Sequence, residues 1–208
     1  MLLLAVGMLR ASASSAAPSP REQKLLDLGS GLGSERLEIL TWPARAELHR
    51  LKVAPFEKDR QAIGAFRGRE VLATRTLPGR EMRLLADAFL DVGSYASLGI
   101  RKPVRPGPVG YGAARLCGGF RPIVGLHLTD VEDRSLDILL CFSCDEMAFA
   151  AVETDQAPRT DAERHFWISS SGAVRLLGIL ARLLPEDESL RWLLQDGRRR
   201  QTRSRRPE

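Results

Sequence analysis

Cysteine is scarce in this chain: Cys117, Cys141 and Cys144 are the only three in 208 residues. One C-x-x-C pair falls short of the two that commonly build a structural zinc site. The odd count also leaves one sulfur over in any disulfide arrangement. Histidine is as rare, limited to His49, His127 and His165. Lysine is nearly absent beside arginine, with only Lys24, Lys52, Lys58 and Lys102 among 31 basic residues. Arginine over lysine, with much Ala, Leu and Gly, follows from a GC-rich genome and requires no ligand. No stretch reaches the roughly 18 apolar residues of a membrane-spanning helix. No G-x-S-x-G elbow marks a serine hydrolase.

What is present belongs to a globular protein. Hydrophobic residues make up 44% and charged residues 27%, enough to exclude wholesale disorder and to fill the core of one domain. The net charge of +5 is concentrated at the end, where Arg198, Arg199, Arg200, Arg203, Arg205 and Arg206 crowd together. The rest is near neutral, so the basic balance does not by itself imply nucleic acid.

The beginning, MLLLAVGMLRASASSAAPSP, has an apolar run from Leu2 to Leu9 followed by Ala11 and Ala13 at A-x-A spacing. That is the layout of a secretory signal, lacking only the basic n-region. Export to the periplasm or the medium is the expectation, with a cytoplasmic chain as the alternative. Residues 1–33 read as signal peptide and linker, 34–196 as a single domain, and 197–208 as a basic disordered tail. The tail's arginines would meet anionic surfaces, nucleic acid or lipid, through phosphate contacts.

Within the domain, SERLEIL predicts a short helix with Ser34 as its N-cap. Residues 44–53 and 66–77 predict two strands, Gly68 lying near the start of the second. Met82, Leu85, Ala86 and Phe89 recur at helical spacing after Pro78-Gly79. Residues 99–114 carry Pro103, Pro106 and Pro108 among glycines and read as a long loop. Three strands joined by tight turns follow, then an amphipathic helix over 169–185 capped by serine, then a short helix. The order β-β-α-β-β-β-α without strict alternation implies an α+β fold: an antiparallel sheet of about five strands covered by two main helices.

With VEDR as the turn, His127 falls opposite Asp137, Val124 opposite Leu140 and Ile123 opposite Cys141. Val124, Leu126, Leu128, Ile138, Leu140 and Phe142 then share one face, and Cys141, Leu139 and Asp137 the other. Phe120 falls opposite Cys144, which gathers Cys117, Cys141 and Cys144 at one end of the sheet. His127 lies four residues along the strand from the row of Cys141, about 13 Å at about 3.3 Å per residue, too far to share a metal with it. The cluster admits a disulfide with one thiol over, or three buried thiols. Its chemical alternatives are thiol-redox catalysis and a zinc site. Redox catalysis prefers a helix N-terminus after C-x-x-C, whereas Asp145 and Glu146 stand here and raise a nearby thiol's pKa.

The segments LCGGFRPIVGLHL and LDILLCFSCDE are similar to a group of uncharacterised bacterial proteins with a Cys, a nearby Pro, a β-hairpin and then C-F-x-C. The matching positions are Cys117, Pro122, Cys141, Phe142 and Cys144, within about residues 66–153. The resemblance implies an export signal and no particular activity. Gly118-Gly119-Phe120 departs from the Pro-Arg-His step expected after the first cysteine.

Asp27-Leu28-Gly29-Ser30-Gly31-Leu32-Gly33 resembles the first motif of S-adenosylmethionine-dependent methyltransferases, which lies between a strand and a helix. Lys52 stands about where an acidic ribose ligand would be expected, and a linker accounts for the glycines. His127 beside Asp137 reads as a cross-strand polar pair, DVEDR as a solvated turn, and Phe166, Trp167 and Trp192 as core aromatics. The overall expectation is a structural or interaction role without a cofactor.

Overall fold

A computed structural model describes residues 20–53, 65–101, 120–151 and 163–204. In chain order these form α1 (Pro20–Leu32), α2 (Ser34–Thr41), β1 (Arg45–Leu51), β2 (Ala65–Phe66), β3 (Arg69–Thr76) and α3 (Gly79–Leu90). Then come β4 (Tyr95–Arg101), β5 (Val124–Thr129), β6 (Ser135–Cys141), β7 (Glu146–Ala151), β8 (Arg164–Ile168), α4 (Ser170–Leu183) and α5 (Glu188–Ser204). The strands line up as β2-β3-β1-β5-β6-β7-β8-β4. Every pairing is antiparallel. The fold is α+β, as the sequence implies, with seven full strands and the two-residue β2 at one edge.

The β5–β6 hairpin has the register expected from its turn, with His127 opposite Asp137 and Val124 opposite Leu140. Asp130 closes that turn by accepting from the backbone N–H of Glu132 at 2.9 Å and of Arg134 at 3.0 Å, an Asx-type arrangement. Alternation then sorts the strands into two faces. Leu48, Val124, Leu126, Leu128, Ile138, Leu140, Met147, Phe149 and Phe166 share the main core with residues of all five helices. Phe149 sits edge-on to both Phe89 and Phe166, with ring centroids 6.1 and 5.6 Å away, the geometry aromatic quadrupoles favour. Leu51, Phe66, Leu139 and Ala148 form a smaller cluster on the opposite face.

Several expectations need correcting. The sheet exceeds the expected five strands by β2, β4 and β8, of which β2 and β8 are too short for alternation to mark them and β4 runs into the Pro- and Gly-rich segment; five α-helices stand in place of two main ones. Residues 66–77 are a hairpin: Arg67 (φ 49°) and Gly68 (φ 72°) turn the chain between β2 and β3, the left-handed pair that two-residue hairpins require. Residues 20–32 are helical, and Leu28 and Leu32 are fully buried; apolar packing overrides the glycines that suggested a linker. The signal peptide expected over the first residues lies outside the described ones. Gly33, at φ 88°, occupies the N-cap of α2, and Ser34 is already helical. The tail is helical as far as Ser204, and Trp192 is 62% exposed. Strand β4 runs into the expected loop as far as Arg101.

Helix α4 is capped by Ser169, whose hydroxyl accepts from the N–H of Gly172 at 2.9 Å. A Cβ at Gly172 would stand 2.4 Å from the backbone oxygen of Ser94, and backbone cannot step aside as a flexible side chain can. Gly172→Ala is therefore expected to cost about 1–3 kcal/mol, the usual penalty of overpacking, measured by urea unfolding.

Candidate functional site

The sheet face turned away from the main core carries all three histidines. On β1 it presents Glu47 and His49, on β5 His127 and Thr129, on β6 Asp137 and Cys141, on β7 Glu146, and on β8 His165. These positions follow from strand alternation and from the cross-strand pairs Glu47–His127, His127–Asp137, Cys141–Glu146 and Ala148–His165. His127 and His165 stand three strands apart, about 14 Å at about 4.8 Å per strand. The face therefore holds two centres.

At the first, Nδ1 of His127 lies 2.7 Å from Oδ1 of Asp137 and its Nε2 lies 3.3 Å from Oγ1 of Thr129. The β2–β3 turn brings Arg67 over the sheet, where its Nε donates to the other oxygen of Asp137 at 2.6 Å. The hydrogen bond to Asp137 raises the pKa of His127 despite partial burial and the charge of Arg67. His49, on the neighbouring strand, is buried beneath Phe66 with ring centroids 4.6 Å apart and meets Thr74 Oγ1 at 3.0 Å. Burial lowers its pKa, with Glu47 opposing. A shallow cavity of about 350 Å³ opens beside His127, lined by Glu47, Thr129 and Ser135 and bordered by the Arg45–Asp133 ion pair.

At the second centre, His165 is held between two carboxylates, Nδ1 at 2.8 Å from Glu146 and Nε2 at 3.2 Å from Glu163. Glu146 is buried, and Phe120 lies edge-on to the imidazole at 5.1 Å. Burial works against the imidazolium, but hydrogen bonds to both carboxylates overcome it and raise the pKa to about 9. Glu163 answers in kind: the bond from His165 lowers its pKa against burial, with Arg67 and Arg69 assisting. Both ring nitrogens of His165 are donors at neutral pH.

Cys141 ends β6, and residues 142–145 turn the chain into β7 with Asp145 at φ 48°. Cys141 and Cys144 are joined as a disulfide across this turn, their Cα atoms 5.7 Å apart. Cys141 is wholly buried and Cys144 half-buried. No helix starts at the pair, so no helix dipole acts on either sulfur. Bonded sulfurs offer no thiolate to a metal, and among the described residues no three His, Cys, Asp or Glu side chains form a group able to hold one. Cys117, and with it the three-sulfur cluster, lies outside the described residues.

No family model, curated protein or solved structure matches the chain. The similarity carried by Cys117, Pro122, Cys141, Phe142 and Cys144 therefore assigns no family. The described chain has no helix long and apolar enough to cross a membrane.

The hairpin register identified His127 with Asp137 in advance. The pairing of Glu146 with His165 was not foreseen, because it depends on recognising β8. A possible signal was Ala148 alternating with Glu146 before a second apolar stretch, RHFWI. The glycines at 29–33 end one helix and start another, so the strand-to-helix setting that a methyltransferase motif needs is missing there.

Proposed function

We propose that the chain is an exported binding protein whose histidines, carboxylates and disulfide serve its fold, without chemistry of its own. The observation that carries this reading is that each of the three imidazoles on the polar face is engaged by its neighbours. His165 is shared by Glu146 and Glu163, His127 by Asp137 and Thr129, and His49 by Thr74 and Phe66. A general base must reach its proton with an unprotonated nitrogen and a pKa near the working pH. His165, raised to about 9, does not meet that condition at neutral pH. The disulfide fits the same reading, since structural disulfides persist in oxidising compartments.

The second reading is thiol-redox chemistry at Cys141 and Cys144 with Cys117 as a third thiol. It is favoured by the bond itself and by the partial exposure of Cys144. Zinc would require the pair in reduced form.

Alkylation followed by intact-mass measurement, zinc analysis and a thiol-exchange assay separate these readings. The binding reading expects one alkylated cysteine before reduction and three after it, no bound zinc, and no catalysed reduction of insulin. It also expects Cys141→Ser/Cys144→Ser to lose about 2 kcal/mol of stability, the chain-entropy value for so short a loop. Turnover of insulin, or stoichiometric zinc on the reduced protein, would contradict it.

A further inference from the structure

Arg198, at the start of the basic C-terminal segment, has a place in the fold. Because α5 continues to Ser204, Arg191 and Arg198 are seven residues apart on one helical face, with Leu194 between them. Asp187 anchors the start of α5 by accepting from the N–H of Leu190 at 3.1 Å and pairing with Arg50 on β1. Farther along, a Cβ at Gly197 would lie 3.1 Å from Val174 of α4, which records how closely the two helices approach.

Between α3, α4 and α5 a groove of about 700 Å³ remains. Its floor includes Ala88, Val174, Gly178 and Ile179, and a Cβ at Gly178 would meet nothing within 4 Å. Its rim carries Arg175, Arg182, Arg191 and Arg198 against a single acid, Asp87. Arg175 is paired with Asp91 and Arg191 reaches Glu188 only at 3.9 Å. Among the described residues Arg182 and Arg198 form no ion pair. The groove is thus apolar at its base and cationic along its edges.

We infer that this groove binds an amphipathic helix of acidic character, apolar residues facing the floor and Asp or Glu facing the arginines. The inference rests on the binding reading above and names its partner class. A furrow between packed helices accepts anchors at i, i+4 and i+7 of a guest helix. The flanking charges supply orientation and fast, salt-sensitive association.

The test uses the full-length protein and a fluorescent synthetic helix with a leucine stripe flanked by glutamates, followed by anisotropy. A scrambled peptide of the same composition and phosphatidylglycerol vesicles are run beside it. The expected result is saturable binding of the amphipathic peptide, weakened roughly tenfold or more by scrambling, by Arg182→Glu/Arg198→Glu and by Gly178→Leu. Gly178→Leu fills the floor at an open helical position, so its thermal transition should be unchanged or raised. Equal binding of the scrambled peptide, indifference to Gly178→Leu in the folded protein, or binding of vesicles but not peptide would each overturn the inference. The binding reading itself fails on a different readout, insulin turnover, so the two failures are distinct.

Discussion

Replacing Glu146 by alanine is expected to destabilise the protein by about 3–5 kcal/mol, the range seen when one member of a buried ion pair is removed. Glu146 is 1% exposed and accepts from His165, whose side chain is 13% exposed. After the substitution the imidazolium retains only Glu163, which is 41% exposed and so screened by water. The ring must then lose its proton or remain underpaired in a low-dielectric site. Glu146→Gln separates charge from shape: it keeps an acceptor oxygen but removes the counter-charge, so its loss should be smaller. Urea denaturation of the three proteins gives the values directly. A loss for Glu146→Ala within about 0.5 kcal/mol, the level of an ordinary surface change, would mean that the pair does not support the fold.

Raising the pH from about 6.5 to about 9 is expected to remove about 3 kcal/mol of stability through His165 alone. The folded pKa of about 9 exceeds the ordinary histidine value of 6.5. Its stabilisation is therefore complete below the unfolded value and is lost as pH rises through the folded one. His127, whose pKa is also raised by Asp137, acts in the same sense. His49 acts oppositely: burial lowers its pKa, so its contribution is present above 6.5 and is lost as the pH falls through the folded value. Unfolding midpoints measured across the pH range should therefore decline from about pH 6.5 toward pH 9. A profile that rises across that interval would contradict the assignment.

These two effects arise at a pair that sequence reading did not identify, and the reason is physical. The β5–β6 register was legible because a short turn fixes which residues oppose each other. From that register followed the His127–Asp137 contact, the split of β6 into a core face and a polar face, and the end position of Cys141. Helices α3 and α4 were legible from apolar spacing that survives any change of context. Strand β8 has only five residues, and its pairing with β7 closes a long intervening segment. Local pattern carries little information about such a pairing. Helix α1 was hidden by Gly29 and Gly31, whose low helical propensity is outweighed by burial of Leu28 and Leu32. In α5 a run of arginines resembled a solvated tail; Leu190, buried within the main core, and the close approach at Gly197 hold it against α4.

On the proposed reading, the carboxylates that hold His127 and His165 serve the fold. The most direct measurement is an NMR titration of the imidazole C–H resonances of His165 in the native protein. A midpoint near 9, with the ring protonated at neutral pH and shifted toward the ordinary value in Glu146→Gln, is the predicted result. A midpoint at or below 6.5 would leave an unprotonated imidazole beside two carboxylates at neutral pH, and would contradict a purely structural role for this centre.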